Sequence, residues 1–225
     1  AYEISLGLVG SEMCIRDRDV TNALFIGSFG SFEKIIRTIL VWVPISLASI
    51  ALIYTFSSGM WNIGIEGQII MGAIGATFIA RSFLGDNFVS PYIQLIMALA
   101  SGGFWGFICA ILKVKGGVHE IFSGLGLDFV ASGIAIYLII GPWKRKGIAS
   151  TSGTEIFHES SWIPTVGSLD FPIFLLLIII LVYICTYFLL SRTSFGLRLK
   201  ATGINFFATN RFDFSSERYL SLIHI

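Results

Sequence analysis

The chain has 225 residues, of which 55% are hydrophobic and only 13% charged; its mean hydropathy is +0.82 and its formal net charge +1. Soluble domains carry about a quarter charged residues, so the composition excludes an ordinary soluble fold and predicts an all-α, polytopic transmembrane helical bundle. A net charge this close to zero argues against nucleic acid as a partner.

The two ends read differently from the rest. The chain opens AYEISLGLVGSEMCIRDR and closes LSLIHI. Codons for Glu12–Asp17 and for Leu220–Ile225 can be written as reverse complements of one another, apart from register, and both resemble the transposon-end adapter used in short-read library preparation. Residues 1–18 and 220–225 are therefore read as translated adapter and set aside from fold reasoning. Residues 19–219 form the domain of interest. Cys109 and Cys185 remain, both inside apolar runs and without metal-ligand spacing.

In chain order, residues 19–38 are mixed, with Gly27 and Gly30 expected to break any long helix, and read as a surface or interfacial segment. Five runs follow that approach the roughly 20 residues a spanning helix needs: 39–56, 68–84, 91–112, 118–140 and 172–190. Pro44 lies inside the first, where membrane helices tolerate it. Short turns are expected at 85–90 and, basic, at 113–117. Residues 141–171 are polar, with Trp143 and Trp162 as interface anchors, and 191–219 are polar and basic. Grouping 113–117 with 191–219 collects Lys113, Lys115, Arg192, Arg198, Lys200, Arg211 and Arg218 on one side, which the positive-inside rule makes cytoplasmic.

Chemistry of the enzymatic kind has little to stand on: the sequence has no GxxxxGK[ST], HExxH or GxSxG motif. No catalytic residue, metal site or cofactor is predicted. Polar residues inside apolar runs are the informative ones. Glu120, Gly124, Asp128 and Ser132 recur every four residues and so share one stripe of a helix. Asp128 falls about 15 Å along the run from Val118. An acid at that depth costs about 3 kcal/mol or more against lipid, so it is expected to face the interior, either as a substrate-pathway contact or as an interhelical hydrogen-bond partner. Gly72-x-x-x-Ala76, Ala76-x-x-x-Ala80 and Gly102-x-x-x-Gly106 are spacings that allow close helix packing. Residues 57–72, SSGMWNIGIEGQIIMG, place Asn62, Glu66 and Gln68 among glycines that weaken a continuous helix. Broken helices in membranes mark binding sites in many transporters, and a plain polar loop is the alternative.

The stretch GMWNIGIEGQIIMGAIGA resembles the signature of the integral-membrane permeases of ABC importers for nucleosides and simple sugars. LKVKGGVHEIFSGLGLDFVASGIA, GPWK and RTSFGLRLKATGINFFAT continue the resemblance in order, over residues 19–219. In the family pattern, His119 and Asp128 both stand where Asn is usual, and Phe206–Phe207 replace Pro and an acidic residue. The resemblance implies that 191–219 is a coupling segment docking on an ATP-binding subunit, with Thr193, Gly196, Lys200, Ala201, Gly203, Asn205 and Ala208 matching. It implies further helices before residue 19 and after residue 219, so that this chain is a fragment. It also implies a second permease subunit, an extracytoplasmic substrate-binding protein, ATP bound only by the partner, and a multi-pass protein of the cell membrane. Asn62, Glu66, Gln68 and Asp128 are then expected to line the pathway. An ion-coupled secondary transporter using Glu66 and Asp128, a purely structural membrane subunit, and permeases for branched-chain amino acids or pentoses remain as alternatives.

Overall fold

A computed structural model describes residues 17–145, 153–163 and 173–205. Its helices are α1 (residues 17–29), α2 (Phe32–Ser57), α3 (Ile65–Ala80), α4 (Ser90–Val114), α5 (Glu120–Ile140), α6 (Ile173–Arg192) and α7 (Ser194–Ile204), with a 3-10 turn at Glu159–Ser161. Of the adapter reading, residues 1–16 and 220–225 lie outside the described residues, while Asp17 and Arg18 are helical. The helices α2, α4, α5 and α6 are long and apolar enough to cross a membrane.

The chain divides into two units, Ala1–Leu47 with Pro164–Leu181, and Ala48–Ile163 with Val182–Ile225. In the first, α1 and α2 meet at Gly30 and Ser31. Lys34 Nζ donates to the Ile26 carbonyl at 3.0 Å and Thr38 Oγ1 to the Ser28 carbonyl at 3.2 Å, tying the start of α2 to the end of α1. The expected break at Gly27 is absent, because a single glycine costs a helix only about 1 kcal/mol and nothing crowds this one.

The second unit holds the core. At the end of α2, Gly59 adopts φ +72, a left-handed conformation that glycine accepts without strain. Its N–H bonds to Phe56 O at 3.0 Å and that of Met60 to Thr55 O at 3.0 Å, the paired bonds of a Schellman stop. The predicted span 68–84 is corrected to Ile65–Ala80. At 16 residues it is about 24 Å long. It ends early because the backbone and hydroxyl of Ser82 both bond back to Ile79 O, and it begins early for a reason given below.

α4 runs antiparallel to α3: Gly72 lies against Ala98 O, Gly75 against Met97 O and Ser101, and Gly102 against Gln68 O. Gly72 and Gly102, both singled out by their spacing, thus carry a close approach of backbones. α5 runs parallel to α3, with Gly124 against Gly64 and Asp128 against Gly67. Between α4 and α5, Lys113 pairs with Glu120. Beyond α3, Ser160 and Ser161 hydroxyls donate to Gly85 O at 3.0 and 2.8 Å, pinning the 3-10 turn to the α3–α4 connection. Of the predicted anchors, Trp162 is exposed and Trp143 lies under the Arg81 guanidinium, 5.9 Å from the ring centroid.

His119 is the N-cap of α5: its Nδ1 accepts from Ile121 N at 3.4 Å. Asparagine, usual here by the family pattern, is a favoured cap for the same reason. His119→Ala is expected to cost about 1 kcal/mol and His119→Asn nothing, read as the thermal midpoint of the full-length protein in detergent. Equal losses for both would remove the capping role.

Candidate functional site

The start of α3 has no cap of its own. Gly64 occupies the N-cap position and no side chain of the preceding loop bonds to the first turn. The first N–H groups of a helix need acceptors, and α5 supplies one: Asp128 Oδ1 accepts from Gly67 N at 2.7 Å, a buried bond between residues far apart in sequence. A carboxylate at the positive end of a helix is the favourable sign of charge. This contact is what draws the helix start back to Ile65. It also requires glycine, since a Cβ on residue 67 would lie 2.5 Å from Asp128 Oδ1 and 3.1 Å from Asp128 Cα.

Asp128 is 9% exposed, and Glu120 and Gly124 are buried along the same stripe, with Ser132 half-buried. The acid therefore faces the interior, as its position demanded. Asn62 and Gln68 flank the contact, each half-buried. Asn62 Oδ1 and Gln68 Nε2 are buried atoms without a hydrogen-bond partner among the described residues. Glu66 is not brought in: it sits on the exposed side of the first turn of α3, where its charge suits the helix start but reaches no partner in the cluster. Nothing in the residue pattern pointed to Trp105 of α4. It is 8% exposed, and its Nε1 is a third buried atom without a partner among the described residues. Its neighbours in α4, Phe104 and Phe107, are exposed, as are Tyr92, Leu95, Ile96, Leu99 and Ile111.

The predicted coupling residues build a second feature. Thr193 caps α7, accepting from Gly196 N at 3.3 Å and donating to Leu189 O at 2.5 Å. Gly196 sits so tightly in the α6–α7 corner that a Cβ would be 2.5 Å from Leu190 Cα. Gly203 rests on the end of α2, where a Cβ would meet Ser57 O at 2.5 Å, Ser58 C at 2.9 Å and Gly59 N at 3.0 Å. Leu199 (0% exposed) and Thr202 fill the same inward face. Asn205 is the C-cap of α7. Lys200 is exposed, together with Leu197, Ala201 and Ile204, which a helical period places on one stripe. Ala208, Phe206 and Phe207 lie outside the described residues. Within α7 itself, Leu197 and Ile204 are the exposed apolar side chains of that stripe.

The family described as "Branched-chain amino acid transport system / permease component" matches residues 34–218. The chain is 30% identical over 189 residues to the guanosine ABC transporter permease protein NupP of Bacillus subtilis, covering 82% of this chain and 53% of that protein. It is 29% identical over 187 residues to the glucose ABC transporter permease protein TsgB13 of Haloferax volcanii, covering 79% and 48%. It is 24% identical over 208 residues to the nucleoside ABC transporter permease protein NupB of Lactococcus lactis, covering 88% and 57%. The chain spans about half the length of these relatives. No solved structure matches it. With helices able to cross a membrane several times and a match over most of its length, the chain belongs to the branched-chain amino acid transport system permease family of ABC transporters, multi-pass integral membrane proteins.

Proposed function

We propose that this chain is part of the translocation pathway of an ABC importer for a nucleoside or a simple sugar. A separate subunit binds and hydrolyses ATP, a second permease subunit completes the pathway, and a substrate-binding protein delivers the solute from outside. The observation that carries this reading is the interrupted helix between α2 and α3, with a carboxylate from α5 on its inner end and polar atoms of Asn62 and Gln68 beside it. Such discontinuities sit at solute sites in transporters. The names of the relatives, guanosine, nucleoside and glucose permeases, support the solute class. α7, held on the end of α2 and presenting Leu197, Lys200 and Ile204 outward, suits contact with the ATP-binding subunit, whose movement would then switch the pathway between the two sides of the membrane.

The test is uptake of labelled guanosine, and in parallel glucose, by the full-length permease reconstituted with its neighbouring subunits and with ATP trapped where the ATP-binding subunit faces it. Accumulation is expected to require ATP and to survive dissipation of proton and sodium gradients. Uptake that needs a gradient and ignores ATP would instead establish an ion-coupled transporter.

A further inference from the structure

Trp105 sits 15 residues into α4, about 22 Å along its axis. The family motifs quoted above do not include it. Its burial sets it apart in a helix whose other large side chains mostly face outward. An indole N–H is a donor with no acceptor capacity, and a buried tryptophan ordinarily finds an acceptor. Here Nε1 has none among the described residues. The direction is informative: a Cβ built on Gly67 would lie 3.2 Å from Trp105 Nε1 and 2.5 Å from Asp128 Oδ1. The indole donor from α4 and the carboxylate from α5 therefore converge on the same residue at the start of α3. Asp128 Oδ1 is already engaged by the Gly67 N–H, and α3 contributes a second open donor, Gln68 Nε2, and the approach to it an open acceptor, Asn62 Oδ1.

Two unpartnered donors and one unpartnered acceptor belong to residues at or packed against a single helix start, one of the donors converging with a carboxylate on Gly67, and such a set suits an uncharged hydrogen-bonding solute. An anion would meet Asp128 at close quarters. A metal ion has no ligand set, since no group of three His, Cys, Asp or Glu residues suited to one occurs among the described residues. We propose that Trp105 is a recognition residue of the pathway, its indole N–H donating to an acceptor atom of a neutral solute held at the start of α3 beside Gln68 and Asn62. The proposal rests on the pathway reading given above.

The experiment uses the full-length permease with its ATP-binding subunit and substrate-binding protein in proteoliposomes of phosphatidylethanolamine and phosphatidylglycerol, with guanosine and glucose as probes. Trp105→Phe keeps a ring in the site and deletes only the donor. For whichever probe the wild type takes up, KM is expected to rise about tenfold, equivalent to about 1.4 kcal/mol, with kcat within about twofold and the thermal midpoint unchanged or raised. An unchanged KM alongside working uptake overturns the role of Trp105 and leaves the pathway reading intact. If the wild type accumulates neither probe with ATP, the pathway reading falls, and the role of Trp105, which rests on it, falls too. A fall in the midpoint of more than about 3 °C assigns the indole to internal packing and overturns the proposal whichever way KM moves.

Discussion

Asp128→Leu is expected to destabilise the full-length permease by about 2–4 kcal/mol, whereas Asp128→Asn costs about 1 kcal/mol. Leucine removes the acceptor of the Gly67 N–H among the described residues, at 2.7 Å in a buried setting, and leaving a buried donor unmet costs about 1–3 kcal/mol. It also removes the negative charge from the positive end of α3, worth about 0.3–1 kcal/mol. Asparagine keeps a carbonyl oxygen in the same place and loses only the charge-assisted part of the bond. The leucine variant is expected to lower the melting midpoint in detergent by several degrees. Equal effects of the two substitutions would mean that Asp128 does not act by capping α3. If the pathway reading holds, Asp128→Asn also retains transport, since asparagine satisfies the same N–H.

Gly203→Val is expected to lift α7 off the end of α2. The atoms that its Cβ would meet, Ser57 O, Ser58 C and Gly59 N, all belong to backbone, so no side chain can rotate aside. On the other face of the contact, Gly59 has φ +72 and a Cβ there would lie 3.1 Å from Gly203 O; neither residue can yield. Overpacking of this kind costs about 1–3 kcal/mol, and losing the burial of Leu199 adds about 1.5–3 kcal/mol. Tryptic cleavage after Arg198 and Lys200 in native membranes is the readout, expected to accelerate at least about tenfold if α7 loses some 2 kcal/mol of docking. Cleavage at the wild-type rate would show that the α7–α2 contact contributes little to holding the helix.

Much of the fold was legible because apolar runs of membrane length leave few alternatives. The stripe of Glu120, Gly124 and Asp128 was legible because its four-residue repeat survives in any helix, and it is buried as expected. What the sequence could not show is pairing between distant segments. The 16-residue length of α3 depends on an acceptor supplied by α5, and the significance of Gly203 depends on the end of α2. Glu66 looked like a member of the polar group because it lies between Asn62 and Gln68 in sequence; its side chain is instead exposed. Trp105 was hidden for the opposite reason, since an aromatic residue in an apolar helix reads as filler until its nitrogen is seen to be buried. His119 looked like a departure from the family pattern, yet it performs the cap that asparagine would.

The shortness of α3 also dictates where the bilayer is wet. A helix of 16 residues falls about 6 Å short of a hydrocarbon slab about 30 Å thick, and the deficit is made up by the non-helical chain from Ser58 to Gly64. Three of its amides, Ser58, Gly59 and Met60, bond back into α2. Lipid tails cannot solvate the peptide groups that lack such bonds, so water is expected to accompany them inward from the α7 side, as far as the buried Asp128. Amides 61–64 should exchange with solvent deuterium far faster than those of α4 alongside.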